Sequence, residues 1–330
     1  MKNHMKKEIV IYGAGKIGRG YAADIFSSDG YHLTLICHDE TEAQELKVKG
    51  RYAIYTYQNS SAESVKIIDS FDVMAASDPK LPETLQRIGL VALTLFPEDY
   101  PSAAAVIAAS LQKKYAGQDD SPLNFILFTN GLDPQKRLKE LVYRALPEKC
   151  KIFAENVLGL VNTIVPRTVI NPSDEFLKKE PWSLFSDGAR TLPIEDSFKG
   201  EAPQCTAFEY HSSLDALVAR KFYMKNMAHE AAAYYGSAKG CKTITQAMND
   251  PEILQLIQGA LDEVGAALVL EYNFSETEVR DYADSVINKH RNQALEDTCE
   301  RVGANPVRKL AYTERLIGAA LLARKHGIYT

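Results

Sequence analysis

Three glycines, Gly13, Gly15 and Gly18, stand in the spacing G-x-G-x-x-G between a short apolar run and a helical pattern. The run, Glu8 to Tyr12, carries β-branched Ile9, Val10 and Ile11 and reads as a parallel strand buried on both faces. After the glycines, Ile17, Tyr21 and Ile25 recur every four residues, the apolar stripe of a helix. A chain that passes from buried strand to helix through such a loop has a mechanical use for each glycine. Gly13 permits the tight turn, Gly15 lets backbone approach a pyrophosphate, and Gly18 lets helix and strand pack closely. The helix N-terminus, at Lys16 and Ile17, then faces an anion. The spacing predicts dinucleotide binding through Gly13, Gly15, Lys16, Ile17 and Gly18. The bland alternative is a turn with no ligand.

The strand–helix alternation continues. Leu33 to Cys37, Leu90 to Leu95 and Phe125 to Phe128 read as buried strands. Tyr52 to Tyr57 and Val65 to Ile68 read as shorter, more polar ones, and Ser102 to Leu111 as an alanine-rich helix. Repeated β-α-β implies an α/β chain with an N-terminal Rossmann-type doubly wound parallel sheet. Between about Pro172 and Pro203 prolines and glycines gather, which reads as a short-stranded connector. From Ala207 onward helical periodicity dominates, with breakers at Gly236, Gly240, Gly303 and Pro306. A length of 330 residues suits about two domains. The expected division is 1–200, a dinucleotide-binding domain with a short-stranded extension, and 201–330, a mostly α-helical substrate and catalytic domain.

Composition removes other classes. With 45% hydrophobic and 25% charged residues, the chain is neither disordered nor collagenous. Its 38 basic and 43 acidic residues give a net charge of −5, which offers nucleic acid no broad basic surface. Five scattered cysteines without a C-x-x-C fit a reducing cytoplasm and argue against a disulfide framework or a cysteine zinc site. The longest apolar run, Leu316 to Ala323, is far short of the ~18–20 residues of a membrane span. The short apolar run after Lys2, Lys6 and Lys7 reads as a first strand rather than a signal peptide. The expected partners are a small-molecule substrate and a nicotinamide cofactor. No metal, nucleic acid or membrane is expected, and the state is a monomer or small homo-oligomer.

The end of the second strand is where an acid usually binds the adenosine ribose of NAD. Here that place holds Cys37, followed by His38 and Asp39. Asp39 is the candidate reader from two residues on, and His38 is the feature that favours a 2′-phosphate. NAD is the expected cofactor, with NADP open. Further on, Arg220 to Tyr235 reads as a helix ended by Gly236. At about 100° per residue, Lys221, Asn226 and His229 fall near about 0°, 140° and 80°, on one broad face. A lysine there can exchange a hydroxyl proton and an amide can donate to an alkoxide. The lysine must first fall from about 10.4 to 7–8, which burial and the like charge of Lys225 favour. The bland reading is a solvated lysine beside a structural Asn and His.

The chain resembles the polyol-specific long-chain dehydrogenases. The pattern Lys-x4-Asn-x2-His is present as Lys221, Asn226 and His229. The likeness continues through "AAAYYGSAKGCKTITQAMNDPEI", "GALDEVGAALVLEYNF", "ERVGANPVRKL" and "ERLIGAALLARKHGI", and upstream through "IYGAGKIGRG" and "RYAIYTY". It covers nearly the whole chain and is most specific from about residue 215. The resemblance implies zinc-independent hydride transfer between a nicotinamide and a secondary alcohol. It implies Lys221 as acid/base, Asn226 and Asn130 as oxyanion donors, and His229 as a hydroxyl-orienting group. It also implies Arg301, Arg308 and Lys309 at the phosphate of a hexitol phosphate, interconverting mannitol 1-phosphate and fructose 6-phosphate. Four positions depart from the family pattern: Cys37 for the ribose acid, Phe96-Pro97 for a Gly-Pro, Pro166 for an Asp, and Ala304 for a basic residue. The alternatives are a dehydrogenase of another polyol or of a sugar acid such as a hexuronate, and a dinucleotide-binding sensor without catalysis. A ketopantoate-reductase-like reading shares the glycine loop but fits the C-terminal half poorly.

Overall fold

The computed structural model describes residues 7–58, 61–129, 134–291, 297–312 and 314–328. They form two units: the first takes the chain up to Leu214 except residues 58–61, and the second takes those residues with the chain from Asp215 on. The strands of the described chain are β1 (Glu8–Tyr12), β2 (His32–Cys37), β3 (Tyr52–Gln58), β4 (Ser61–Ile68), β5 (Phe71–Ala75), β6 (Leu90–Leu93), β7 (Leu123–Leu127), β8 (Leu158–Asn162), β9 (Val169–Ile170), β10 (Leu184–Ser186), β11 (Leu192–Glu195) and β12 (Phe208–His211).

In the first unit six strands make one parallel sheet in the order β5-β2-β1-β6-β7-β8. Counted within the sheet, that is the doubly wound order 3-2-1-4-5-6. Alternation in β1 feeds two cores at once. Ile9 and Ile11 pack with Tyr21, Ile25 and Phe26 on one face. Val10 and Tyr12 pack with Tyr100, Ala103 and Ile107 of the helix Tyr100–Ala116 on the other.

Three expectations change. Tyr52–Tyr57 and Val65–Ile68 lie outside the parallel sheet. They belong to a second sheet, β4-β3-β10-β9, whose Tyr52, Ile54, Val169 and Leu184 cover the Ile9–Ile11 face. The strands that complete the parallel sheet are β5 and β8. β5 is an edge strand with a half-exposed, acid-flanked sequence, so it carries little of the continuous apolar signal. The segment after residue 200 stays with the first unit, because β12 pairs in parallel with β11 over Leu192–Phe208 to Glu195–His211.

From Asp215 on, the described residues are helical apart from turns and one bridge between Thr243 and Thr298. The helix Pro251–Tyr272 buries Ile253, Ile257, Leu261, Val264 and Leu268 along one stripe. By length and composition this helix is apolar enough to cross a membrane, which a search for uninterrupted runs misses because Gln255, Gln258, Asp262 and Glu263 break it. Its stripe packs on the helices Met227–Ala238 and Glu276–His290 in one core. Gly236 does not end its helix. Met227–Ala238 continues past it, and the chain turns at Gly240, with φ +80°.

Candidate active site

The glycine loop sits where strand order reverses, since β1 has β2 on one side and β6 on the other. Ligands of open α/β sheets bind outside the carboxyl ends of the strands at such a point. Gly13 has φ +110°, and an added Cβ would meet Leu95 Cδ2 and Thr94 Oγ1 at 2.9 Å each. A Cβ on Gly18 would overlap the Gly13 carbonyl oxygen. Around Gly15 nothing lies within 4 Å of an added Cβ. Two glycines are therefore required by the protein's own packing, and the middle one leaves open space. The exposed Lys16 and half-buried Ile17 open the helix that follows.

The loop is braced by residues that carried no sequence signal. The amides of Gly13 and Ala14 donate to Ile36 O at 3.2 and 2.8 Å. Thr94 Oγ1 donates to Gly13 O at 2.5 Å. Buried Arg19 donates through Nε to Ala14 O at 2.7 Å, and its guanidinium lies over the Tyr52 and Trp182 rings. An arginine directly after a G-x-G-x-x-G segment reads as a phosphate ligand by charge, yet here it clamps the turn. Phe96, beyond β6 on the other side of the switch point, is 75% exposed. Pro166 is half-buried, and the next residue, buried Arg167, pairs with Asp24 at 2.5 Å.

At the end of β2, Cys37 is only 1% exposed. Burial and the carboxylates of Glu42 and Asp39, against the pull of Arg19, push its thiol up to about 11. An aspartate at this buried position would lie among Glu42, Asp39 and the Arg19 guanidinium. Asp39 is exposed and caps the helix Glu40–Lys49, its Oδ1 accepting from the Glu42 amide at 2.9 Å. A ribose contact from Asp39 falls to Oδ2.

In the second unit the lysine helix is not a regular α-helix. Asp215–Arg220 is α-helical, Lys221–Asn226 is a π-turn, and Met227 resumes the α-helix. Bonding from i to i+5 stacks residue 226 over residue 221, whereas the α-helical wheel separates them by about 140°. Lys221 keeps a little surface, but burial and the like charge of Lys289 together push its ammonium down to about 7. The expected contribution of Lys225 is replaced by Lys289, at the end of the helix Glu276–His290.

His229 lies 3.9 Å from Asp297 through Nε2 and stacks on His290 with ring centroids 4.6 Å apart. Burial pushes His229 down to about 4 against the pull of Asp297. Asn130 lies outside the described residues.

The three expected phosphate ligands all have carboxylate partners. Arg301 pairs with Asp297, its Nε 2.5 Å from Oδ1. Lys309 Nζ is 2.9 Å from Glu230, which is 1% exposed. Arg308 is 3.7 Å from Glu314. Arg315 joins them, 3.4 Å from Glu230 and 3.1 Å from Glu314. Four cations thus share three carboxylates. Ala304, the departure in this segment, is exposed. Sequence reading missed Glu230, Lys289, His290 and Asp297, whose importance arises from helices distant in sequence.

Two family models match the chain. One, described as the mannitol dehydrogenase Rossmann domain, matches residues 7–206. The other, the mannitol dehydrogenase C-terminal domain, matches residues 213–329. Solved structures share the fold. A Pseudomonas fluorescens mannitol 2-dehydrogenase, solved as a ternary complex with NAD and D-mannitol, is 16% identical with a TM-score of 0.83, over 99% of this chain and 77% of that one. A substrate-free D-sorbitol dehydrogenase is 17% identical with a TM-score of 0.82, over 98% and 77% of the two chains. A D-mandelate dehydrogenase with NADH is more distant, at 11% identity and a TM-score of 0.54, over 98% and 94%.

Proposed function

The chain belongs to the mannitol dehydrogenase family, and from that membership we propose that it is an NAD-dependent polyol dehydrogenase acting on a hexitol phosphate. The substrate pair we favour is mannitol 1-phosphate and fructose 6-phosphate, the reaction of a mannitol-1-phosphate 5-dehydrogenase. The observation that carries the dehydrogenase reading is Lys221. A secondary alcohol releases hydride readily only as its proton departs, so the reaction needs an acceptor near neutral pH. Lys221 is held near 7 on a turn that stacks Asn226 above it. In this mechanism Lys221 takes the hydroxyl proton, Asn226 donates its amide N–H to the developing oxyanion, and Asn130 is the second donor. Neutral His229 orients a neighbouring hydroxyl.

A dinucleotide fits the glycine loop. The open space over Gly15 is what close approach of a pyrophosphate to backbone requires, and the helix beginning at Lys16 supplies N–H groups. When bound, the nicotinamide accepts the hydride. NAD is favoured over NADP because Asp39 keeps Oδ2 for a ribose hydroxyl and no arginine follows β2.

The phosphate assignment rests on Arg301, Arg308 and Lys309, helped by Arg315, whose four charges exceed the carboxylates around them. A second reading, a free polyol or a hexuronate, is favoured by the carboxylate partner each of these cations already has. Initial rates at the nicotinamide absorbance band decide between them. The panel is mannitol 1-phosphate, mannitol, sorbitol, fructose 6-phosphate and hexuronates, each with NAD(H) and NADP(H). The expected result is a kcat/KM for the phosphate at least about tenfold above the free polyol, the scale of one lost charged contact. The reverse order gives the second reading, and NAD binding without any turnover gives the sensor.

A further inference from the structure

One of the buried titratable groups that the proposed chemistry leaves unused stands against a residue that it does use. His290 ends the helix Glu276–His290 and is 9% exposed. Its Nδ1 is enclosed and meets no hydrogen-bond partner among the described residues. A buried imidazole usually turns its edge toward polar atoms, because an unpaired ring nitrogen is costly. This one presents its face. It stacks on His229 with centroids 4.6 Å apart and planes 13° apart.

We propose that His290 is a positioning residue for the reaction: its flat ring fixes the plane of His229 and keeps that imidazole in its neutral, two-function form. The inference rests on the reading of His229 as the group that orients a substrate hydroxyl. A hydroxyl both donates and accepts. A neutral imidazole matches it with one N–H and one lone pair, whereas an imidazolium can only donate. Two stacked imidazoles cannot comfortably both be charged, and cations hem in the pair. Lys225, Arg301 and Lys309 act on His229, while Lys225 and Lys289 act on His290. Among the described residues, Asp297 favours a proton on His229, from 3.9 Å, and it is already engaged by Arg301. A ring held on one face has lost its freedom to tilt, so its nitrogens keep their aim. A displacement of about 1 Å in such a group can cost up to about a hundredfold in rate.

The test compares His290→Ala with His290→Phe in the full-length protein. Ala removes the platform, while Phe restores a flat ring without its nitrogens. We expect His290→Ala to lower polyol kcat/KM by about tenfold or more, mainly through KM, with NAD affinity unchanged, and His290→Phe to recover most of that loss. Nitrogen NMR of the histidines supplies a readout that a merely structural role would not move. In the wild type His229 should stay neutral in one tautomer between pH 5 and 8. In His290→Ala it should mix tautomers and titrate at higher pH. The proposal is overturned if His290→Ala matches the wild type in kcat/KM and tautomer, or if His290→Phe is as impaired as His290→Ala. If the wild type turns over no polyol, the functional reading fails and the tautomer comparison alone decides the stack.

Discussion

Gly15 and Gly18 lie three residues apart and should fail for different reasons. A Cβ on Gly18 overlaps the Gly13 carbonyl oxygen, so Gly18→Ala strains the folded chain. A loss of about 1–3 kcal/mol is expected, read as a fall in Tm. A side chain on Gly15 meets no protein atom, so Gly15→Val should fold with nearly unchanged Tm. It should lose dinucleotide binding in calorimetry, because its bulk occupies the approach to the backbone. Normal NAD affinity in Gly15→Val would remove the loop from the cofactor site. Lys221 carries the opposite balance of stability and function. Its ammonium is disfavoured by burial and by Lys289, and on folding it falls from about 10.4 to about 7. Between those values the unfolded chain binds more protons, so this group's contribution makes stability rise as pH rises from 7 toward 10. Lys221→Met should therefore raise Tm most at pH 6, by a stabilisation on the order of 4 kcal/mol. It should also lower kcat by about 10²–10⁴-fold and abolish the ionisation near 7 in the pH profile of alcohol oxidation. A variant that keeps more than a tenth of wild-type kcat would end the acid/base assignment.

The lysine helix shows how an element can be read correctly in kind and wrongly in detail. Its composition announces a helix, but the wheel that spreads Lys221 and Asn226 over a broad arc assumes i→i+4 bonding throughout. One π-turn at Lys221–Asn226 changes the phase. The same helix shows why a glycine is not always a stop. Gly236 lies inside Met227–Ala238, where an added Cβ would come within 2.7 Å of Ala247 Cβ and 3.1 Å of Cys299 Sγ. Close packing, rather than a left-handed turn, requires the glycine. Gly236→Ala should improve local helix propensity by up to about 1 kcal/mol. Its packing clash should nevertheless leave the protein less stable, by a net ~1–2 kcal/mol in urea unfolding. A more stable Gly236→Ala would show that these helices part easily.

Across the whole molecule, buried titratable groups bias stability in one direction over a wide range. Arg167 and Lys66 hold half-buried Asp24 below the usual carboxylate range despite its partial burial, and contacts from Thr206 do the same for Asp29. Their stabilisation is present above about pH 4 and is lost as pH falls through the lowered values. His229 and His290 are lowered by burial, so stability climbs as pH rises from about 4 toward 6.5. Lys221 continues the climb above 7. Burial raises Cys37 to about 11 and Cys205 to about 12, and their contribution is lost as pH rises past about 8.5, the unfolded thiol value. Tm measured from pH 4 to 10 should thus rise to about pH 8 and then flatten or fall; a maximum at pH 5 would contradict these shifts.

The glycine loop, the alternating buried strands β1, β2, β6 and β7, and the helical character of the chain from Asp215 on were legible in the residues alone. Those are local matters: side-chain spacing of two or four and the backbone freedom of glycine are written in neighbouring residues. Tertiary packing set the rest: Tyr52 joins a covering sheet, and Lys309 meets Glu230. It alone brought Lys289 to Lys221 and His290 to His229. Those juxtapositions join segments tens of residues apart, and desolvation and charge depend on what surrounds a group in space, which spacing along the chain does not encode.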